Sequence, residues 1–285
     1  MKRYLLIATL LTSPVFADHG RDFLLLQDAT VPAIGDWITF TNFNASVQSG
    51  PDEAGFELGA TTGIFPRTSL TAALQSADSG QGGWDWSSAG PALQFDLTPP
   101  GSPVLIGLLI GRDFALRDQH YDHEDHHEDD AHDDHHEEDD HHDFEVLHAD
   151  DPHEEEEPHE HEDEEGGNHE HSGIHLHGID AYHARLIIEG TVCGETRWVG
   201  NLIALFPDEG ETAFGYAVGI RHPVSDRLAI GAEATGDFSI NDYHEATLGC
   251  YYSPIHALTL KAGLGFGLNS ASPDFTFRTG LVWKF

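Results

Sequence analysis

The amino-acid sequence predicts an all-β protein: a transmembrane, antiparallel up-and-down β-barrel of about 12 strands with one long disordered extracellular loop. Three observations predict this fold. Segments of about ten residues alternate apolar with small or polar residues, and the chain ends on an aromatic strand. No segment after the N-terminus reaches the roughly 18 consecutive apolar residues that a spanning helix needs. Strands that cross lipid must close into a barrel, because an open edge leaves backbone groups unsatisfied.

The N-terminus has the features of a secretory signal peptide. Lys2 and Arg3 precede the apolar stretch Tyr4–Leu11, and the small-residue site Val15-Phe16-Ala17 follows. We therefore expect residues 1–17 to be cleaved during export.

Residues 18–35 precede the first predicted strand and include the apolar run Phe23–Leu26. Three conformations remain open for this segment: a periplasmic tail, an inserted plug helix, or an extra strand.

The barrel is expected over residues 36–285. Between Leu258 and Leu268 every second residue is apolar, and the residues between them are Thr, Lys or Gly. One face of such a strand meets lipid and the other a polar lumen. The same alternation recurs around Phe214–Arg221 and Leu228–Thr235. The predicted strands span residues 36–48, 54–64, 68–78, 84–98, 102–116, 174–190, 194–207, 212–222, 226–238, 243–253, 256–268 and 274–285.

The connections between these strands predict the orientation. Those at 65–67, 99–101, 191–194, 223–225 and 254–255 are short, as periplasmic turns are in outer-membrane barrels. If both termini lie in the periplasm, the longest connection falls in the third outward-facing loop, where such barrels place long loops.

The closing strand predicts location and one partner. Residues Phe275–Phe285 alternate aromatic and polar side chains and stop on Phe285. This ending resembles the C-terminal signal by which outer-membrane barrels are recognised for assembly. We therefore expect the protein in the lipid of the bacterial outer membrane, delivered there by the outer-membrane assembly machinery.

The run Leu260–Asp274, followed by that aromatic strand, resembles a family of outer-membrane barrels labelled as a meta-pathway phenol-degradation protein and often simply called a transporter. Its most recognisable feature is a Gly-Leu-x-x-Ala-x-Pro-Asp turn, here Gly267 to Asp274. The resemblance is confined to the C-terminal part of the chain, and the long loop looks like an insertion. It implies a passive channel or transporter, and the label says little about chemistry because function resides in sites added to a fold.

The charge is concentrated in one tract. The formal net charge is -37, and residues 118–171 hold 27 of the 50 acidic residues and no Lys or Arg. We assign the predicted loop to residues 118–173. The chain has only 13 Lys and Arg residues, which argues against nucleic acid as a partner.

Histidines are interleaved with these acidic residues, and tracts of this kind are typical of metal binding. Neutral imidazole suits Zn²⁺, Ni²⁺, Co²⁺ and Cu²⁺, while the absence of Cys and Met from the tract argues against Cu(I). With no fixed ligand spacing, a flexible loop is expected to offer many overlapping sites of modest affinity. The candidate ligands are His120, His123, His126, His127, His132, His135, His136, His141, His142, His148, His153, His159, His161, His169, His171, His175 and His177.

These features favour an outer-membrane channel that captures divalent metal ions, Zn²⁺ first, and passes them through the barrel. Two alternatives stay open: a channel for small hydrophobic or aromatic compounds, or a non-conducting surface metal buffer. A plain solvated spacer explains the acidic residues of the loop but not its histidines. Nothing catalytic is visible in the sequence, so we expect no enzyme.

The strand registers also predict a mixed polar lumen. The inward-facing candidates are Glu57, Asp96, His183, Arg185, Glu189, Arg221, Arg227, Glu233, Glu245, Lys261 and Arg278. His183 with Glu189 would extend a cation path, although a satisfied lumen histidine is the simpler interpretation. Cys193 falls in a predicted turn and Cys250 on the lipid-facing register, so no disulfide is expected.

Overall fold

The computed structural model describes residues 21–47, 53–78, 84–116, 180–238 and 243–285. Its twelve strands form one closed antiparallel barrel in which every strand pairs with its sequence neighbours and β1 pairs with β12. The predicted fold class is confirmed. The strands are β1 Trp37–Val47, β2 Glu53–Phe65, β3 Thr68–Asp78, β4 Asp85–Asp96, β5 Val104–Ala115, β6 Ala181–Val192, β7 Thr196–Pro207, β8 Ala213–Ser225, β9 Leu228–Asp237, β10 His244–Ile255, β11 Leu258–Gly267 and β12 Phe275–Lys284.

Most boundaries lie within three residues of those predicted; β6 is the exception. It begins at Ala181 rather than 174 and continues to Val192. The predicted disordered loop, which we placed at 118–173, and the signal peptide lie outside the described residues. No helix in the described ranges is long and apolar enough to cross a membrane.

The barrel has two distinct ends. At the turn end, the short connections 66–67, 97–103, 193–195, 226–227 and 256–257 join consecutive strands, and Trp37 pairs with Phe285. At the loop end lie the longer connections, including that from β5 to β6. Short turns face the periplasm in bacterial barrels, so the turn end is the periplasmic end.

The outer wall carries the apolar surface that lipid requires. Side chains such as Leu202, Leu248 and Leu264 are more than half exposed in the middle of their strands. Exposed aromatic side chains form a belt near each end of the strands, as in known barrels. They are Trp86, Phe114, Tyr182, Phe206, Phe214 and Phe275 at the loop end, and Trp37, Phe65, Tyr252 and Trp283 at the turn end.

The predicted strand registers hold on this wall. Along β11, Thr259 and Lys261 are buried in the barrel, whereas Leu260, Leu264 and Phe266 point outward. Both cysteines are exposed and free: Cys193 lies in the turn after β6 and Cys250 on the outward face of β10.

Candidate functional site

The lumen is occupied by the chain's own N-terminal segment. Residues 21–30, which we call the plug, contain no helix or strand and lie inside the barrel. Phe23, Leu26 and Ala29 are buried there and form one core. Their lumen partners are Leu109, Ile187, Val199 and Ala217. For residues 21–30 the location is thus that of an inserted plug, but the conformation is not the helix considered from sequence.

Lumen side chains supply hydrogen-bond partners for the plug backbone, which forms no helix or strand. The carboxylate of Glu233 accepts hydrogen bonds from the backbone N–H of Leu24 at 2.8 Å and of Leu25 at 2.7 Å. Lys261 Nζ donates to the carbonyl oxygens of Arg21 at 3.0 Å and Phe23 at 2.6 Å. Buried backbone groups must be paired, so these side chains fix the path of the plug.

The second half of the plug is held in the same way. Asn201 accepts from the N–H of Gln27 and donates to its carbonyl oxygen, both at 3.0 Å. Gln94 Nε2 donates to the carbonyl oxygen of Asp28 at 2.9 Å. Glu189 accepts from the N–H of Ala29 at 3.0 Å. Polar side chains from β4, β6 and β7 therefore bind the backbone of a segment that forms no helix or strand.

An ion-pair network anchors the plug at the turn end. The guanidinium of Arg197 binds Asp22, reaches Asp28 Oδ2 at 3.3 Å, and donates to Glu189 Oε1 at 2.6 Å. The three carboxylate side chains are at most 5% exposed. Arg221 adds a further contact to Asp22 at 3.3 Å. Removing one partner from such a buried set leaves the others without a counter-charge, which is strongly unfavourable.

The two plug carboxylates differ in protonation. Burial raises the pKa of Asp28 to about 7, and the charges of Asp22 and Glu189 add to this against the lowering effect of Arg197. Burial also opposes ionisation of Asp22, but Arg197, Lys284 and Arg221 hold its pKa below the usual range. Asp22 is therefore the ionised anchor, and Asp28 exchanges a proton near neutral pH.

Small lumen residues make room for the plug. A Cβ on Gly263 would come within 2.4 Å of Leu24 Cδ1, and one on Gly219 within 2.8 Å of Leu26 Cδ1. A Cβ on Gly107 would lie 3.2 Å from Ala29 Cα. The absence of a side chain at these three lumen positions therefore leaves space for Leu24, Leu26 and Ala29.

Between the plug and the loop end is a cavity of about 240 Å³. Plug residues Arg21 and Phe23–Gln27 line it, together with apolar and charged residues of the barrel wall. Leu109, Ile203 and Leu205 contribute apolar lining, and Glu57, Asp113, His183, Arg185 and Arg278 contribute charged or titratable groups.

The two strands that flank the predicted loop, β5 and β6, both contribute residues to the cavity wall. Asp113 lies near the end of β5 and His183 near the start of β6, and His183 Nδ1 is 3.1 Å from Asp113 Oδ2. The N–H of Ala115 donates to Asp180 Oδ1 at 2.8 Å. From the sequence we considered a cation path through His183 and Glu189 beside the simpler interpretation of a satisfied lumen histidine. His183 contacts Asp113, as the simpler interpretation expects, whereas Glu189 is bound to Arg197 and to the plug.

The predicted lumen residues lie on the inward register with one exception. Arg227 is exposed in the turn between β8 and β9, because β9 begins only at Leu228. Sequence reasoning missed Arg197, although the alternation with Val199 and Asn201 along β7 places it inward. It also missed Asp22 and Asp28, for which no periodic pattern exists.

All 17 histidines predicted as metal ligands lie between residues 117 and 179, outside the described residues. Elsewhere in the chain, the described His, Cys, Asp and Glu residues include no group of three or more arranged to hold a metal ion. Metal binding by the loop stays a prediction.

Comparison with known protein families finds no match, and comparison with curated proteins finds none either. Solved structures do share the architecture. The KdgM porin in complex with disordered oligogalacturonate aligns with a TM-score of 0.53 at 9% identity, covering 86% of this chain and 99% of that one. The KdgM porin alone gives 0.51 at 9% identity with the same coverage. The COG4313 outer membrane channel from Pseudomonas putida F1 gives 0.47 at 11% identity, covering 90% and 98%.

At these identities the likeness shows the fold. The closed barrel, its exposed apolar wall and its two aromatic belts fit a bilayer. The predicted location in the bacterial outer membrane is confirmed, and the chain has the fold of outer-membrane porins and channels.

Proposed function

We propose that this protein is an outer-membrane channel that gathers divalent transition-metal ions, Zn²⁺ first, on its His- and acid-rich loop and admits them to the lumen when the plug leaves. One observation carries the proposal: the loop is inserted between β5 and β6, whose ends hold Asp113 and His183 on the cavity wall. Both ends of the loop are therefore joined in sequence to strands that line the cavity.

Two effects of the loop act in the same direction. Its acidic residues attract cations over a range set by the ionic strength. Its imidazoles coordinate transition metals in preference to Ca²⁺ and Mg²⁺. Because imidazole has a pKa of about 6.5, protons compete with the metal below that pH.

The plug is the feature that makes the channel gated. Its fixation relies on hydrogen bonds and ion pairs to the wall, apart from one small apolar core. Such contacts exchange with water at modest net cost. Opening then requires only that residues 21–30 leave the lumen.

Each alternative has one observation in its favour. The plug lying across the lumen favours a non-conducting surface metal buffer. The apolar part of the cavity lining, which includes Leu109, Ile203 and Leu205, favours a channel for small hydrophobic compounds. Charged groups share that lining, so an apolar solute would have to pass Glu57 and Arg185.

The test is cell-associated zinc under zinc limitation. Four strains are compared: intact protein, loop 118–171 deleted, no protein, and a loop whose histidines from His120 to His171 are all replaced by Gln. The last variant keeps the acidic charge and removes the imidazoles. We expect zinc inside the envelope to rise only with the intact loop. Equal zinc in all four strains would refute metal uptake, and zinc retained only on the cell surface would favour the buffer.

A further inference from the structure

Two guanidinium groups on the cavity wall have few carboxylate contacts: one has a single ion pair, and the other has none among the described residues. Arg21 comes from the plug and Arg185 from β6, and both line the cavity. The other basic groups there are committed: Lys261 binds plug carbonyl oxygens, and Arg278 is bound by Glu245 at 2.9 Å. Arg21 and Arg185 have fewer hydrogen-bond and ion-pair partner atoms than Lys261 and Arg278.

Arg21 uses only part of its donor capacity. Its guanidinium lies 3.8 Å above the ring of Phe40, and its Nη1 atom is 3.5 Å from Glu57 Oε1. Its buried Nε–H has no hydrogen-bond partner among the described residues. Glu57 is shared, since its other oxygen accepts from Asn42 Nδ2 at 2.6 Å.

Arg185 is held more weakly still. Its hydrogen bond is to Asn201 Oδ1 at 3.4 Å, and that oxygen already accepts the N–H of Gln27 at 3.0 Å. Within the described part of the chain, no carboxylate lies within ion-pair distance of this guanidinium.

The electrostatic result is a net positive site. Besides Arg278, which is paired with Glu245, three basic side chains line the cavity, Arg21, Arg185 and Lys261, against two acidic ones, Glu57 and Asp113. Glu57 is at ion-pair distance from Arg21 but not from Arg185, and Asp113 contacts His183. Unpaired charge in such a place is unfavourable. Guanidinium groups offer planar, forked donors that match oxyanions in two-point contact.

We propose that Arg21 and Arg185 bind an oxyanion of a small solute, a carboxylate or a phosphate, in the cavity above the plug. The site goes beyond metal capture and does not depend on it. Because Arg21 belongs to the plug and Arg185 to the wall, a bound anion also ties the plug to β6. Binding and plug closure then stabilise one another.

The experiment is isothermal titration calorimetry of the full-length protein in detergent, with inorganic phosphate and with galacturonate as separate probes. The two probes distinguish a phosphate from a carboxylate as the preferred ligand. We expect saturable binding of at least one probe. Arg21→Gln and Arg185→Gln should each weaken it roughly tenfold or more, as for a lost hydrogen bond to a charged group. Arg185→Lys should give an intermediate affinity, since it keeps the charge and loses the fork.

Arg67→Gln is the matched control, since Arg67 lies at the turn end with Asp96 and outside the cavity. Equal loss of affinity in this variant would overturn the site, as would the absence of binding by the intact protein. To show that the variants keep the plug docked, the labelling rate of a thiol introduced by Ala29→Cys is measured in each, with the exposed Cys193 and Cys250 replaced by Ser. Loss of affinity with unchanged labelling supports direct binding by the guanidiniums. If labelling accelerates and affinity falls only in proportion to the released plug, the proposal fails.

Discussion

The basic side chains in the two halves of the lumen differ in how many carboxylates they contact. At the turn end, Arg197 contacts three buried carboxylates, and two of them, Asp22 and Asp28, belong to the plug. On the loop side of the plug, Arg21 has one ion-pair partner, Glu57, Arg185 has none among the described residues, and both border a cavity. The charged groups around Arg197 are paired without any ligand, whereas Arg21 and Arg185 retain unused hydrogen-bond donors.

This difference distinguishes the Arg197 network, which holds the plug in place, from the Arg21 and Arg185 site, which can bind a ligand. Buried ion pairs with every partner present hold a segment in one register, and they fail when one partner is removed. Unmatched guanidiniums beside a cavity leave donors for a solute.

The largest effect is expected from Arg197→Gln. It leaves Glu189 buried without its cation, and only Arg221 and Lys284 remain as cations beside Asp22. A loss of about 3–5 kcal/mol corresponds to a shift of roughly a hundredfold to several thousandfold toward the released plug. We expect higher conductance in planar lipid bilayers. Arg67→Gln, with its exposed guanidinium at the turn end, is the control. A closed Arg197→Gln barrel would mean that this network does not fasten the plug.

Glu233→Gln should have the next largest effect. Its carboxylate accepts two plug N–H groups and the hydroxyl of Tyr251, and hydrogen bonds to a charged group contribute about 1.5–3 kcal/mol. The readout is the labelling rate of Ala29→Cys with Cys193 and Cys250 replaced by Ser, because Ala29 is 1% exposed in the docked plug. Labelling should accelerate roughly tenfold to a hundredfold. Glu195→Gln in the exposed turn should leave it unchanged.

The pH dependence of docking should follow Asp28. Its pKa is about 7 in the docked plug against a usual 3.8, so docking takes up a proton and is strengthened by acid. That contribution is lost as pH rises through about 7. We expect the thiol of Ala29→Cys to be labelled about tenfold faster at pH 8 than at pH 6, after correction for thiol ionisation. Asp28→Asn should abolish this difference; if it persists, another group controls it.

The smallest effect is expected from Gly263→Ala. The new methyl group would meet Leu24 Cδ1 at 2.4 Å, the free end of a side chain that can turn away, and the backbone oxygen of Leu248 at 3.0 Å, a tight contact that needs a small shift. We expect overpacking of roughly 1 kcal/mol, and labelling of the same introduced thiol should accelerate a few-fold. Gly200→Ala is the matched control, because its Cβ would have no neighbour within 4 Å. Equal rates in the two variants would contradict a close fit between Leu24 and β11.

The barrel was predictable because its signal is local. Alternation along β11 fixes which side chains face lipid, and a shift by one residue would expose Lys261. The plug was not predictable, because its residues have no period and its partners, such as Glu233 and Lys261, lie more than 200 residues away in sequence. The inward position of Arg197 could have been predicted from the same kind of alternation along β7. The role of Arg21 depends on where the plug places it, which no sequence pattern encodes.

The most direct test of the gated channel locks the plug. Ala29 Cβ lies 3.5 Å from the position of a Cβ on Gly107, a separation that suits a disulfide. The variant Ala29→Cys with Gly107→Cys, again with Cys193 and Cys250 replaced by Ser, is placed in liposomes containing a zinc-sensitive dye. We predict that the oxidised protein excludes zinc and that a phosphine reductant restores entry to the rate of the protein with Ser at 193 and 250 alone. Equal zinc entry through the locked and reduced forms would contradict the account.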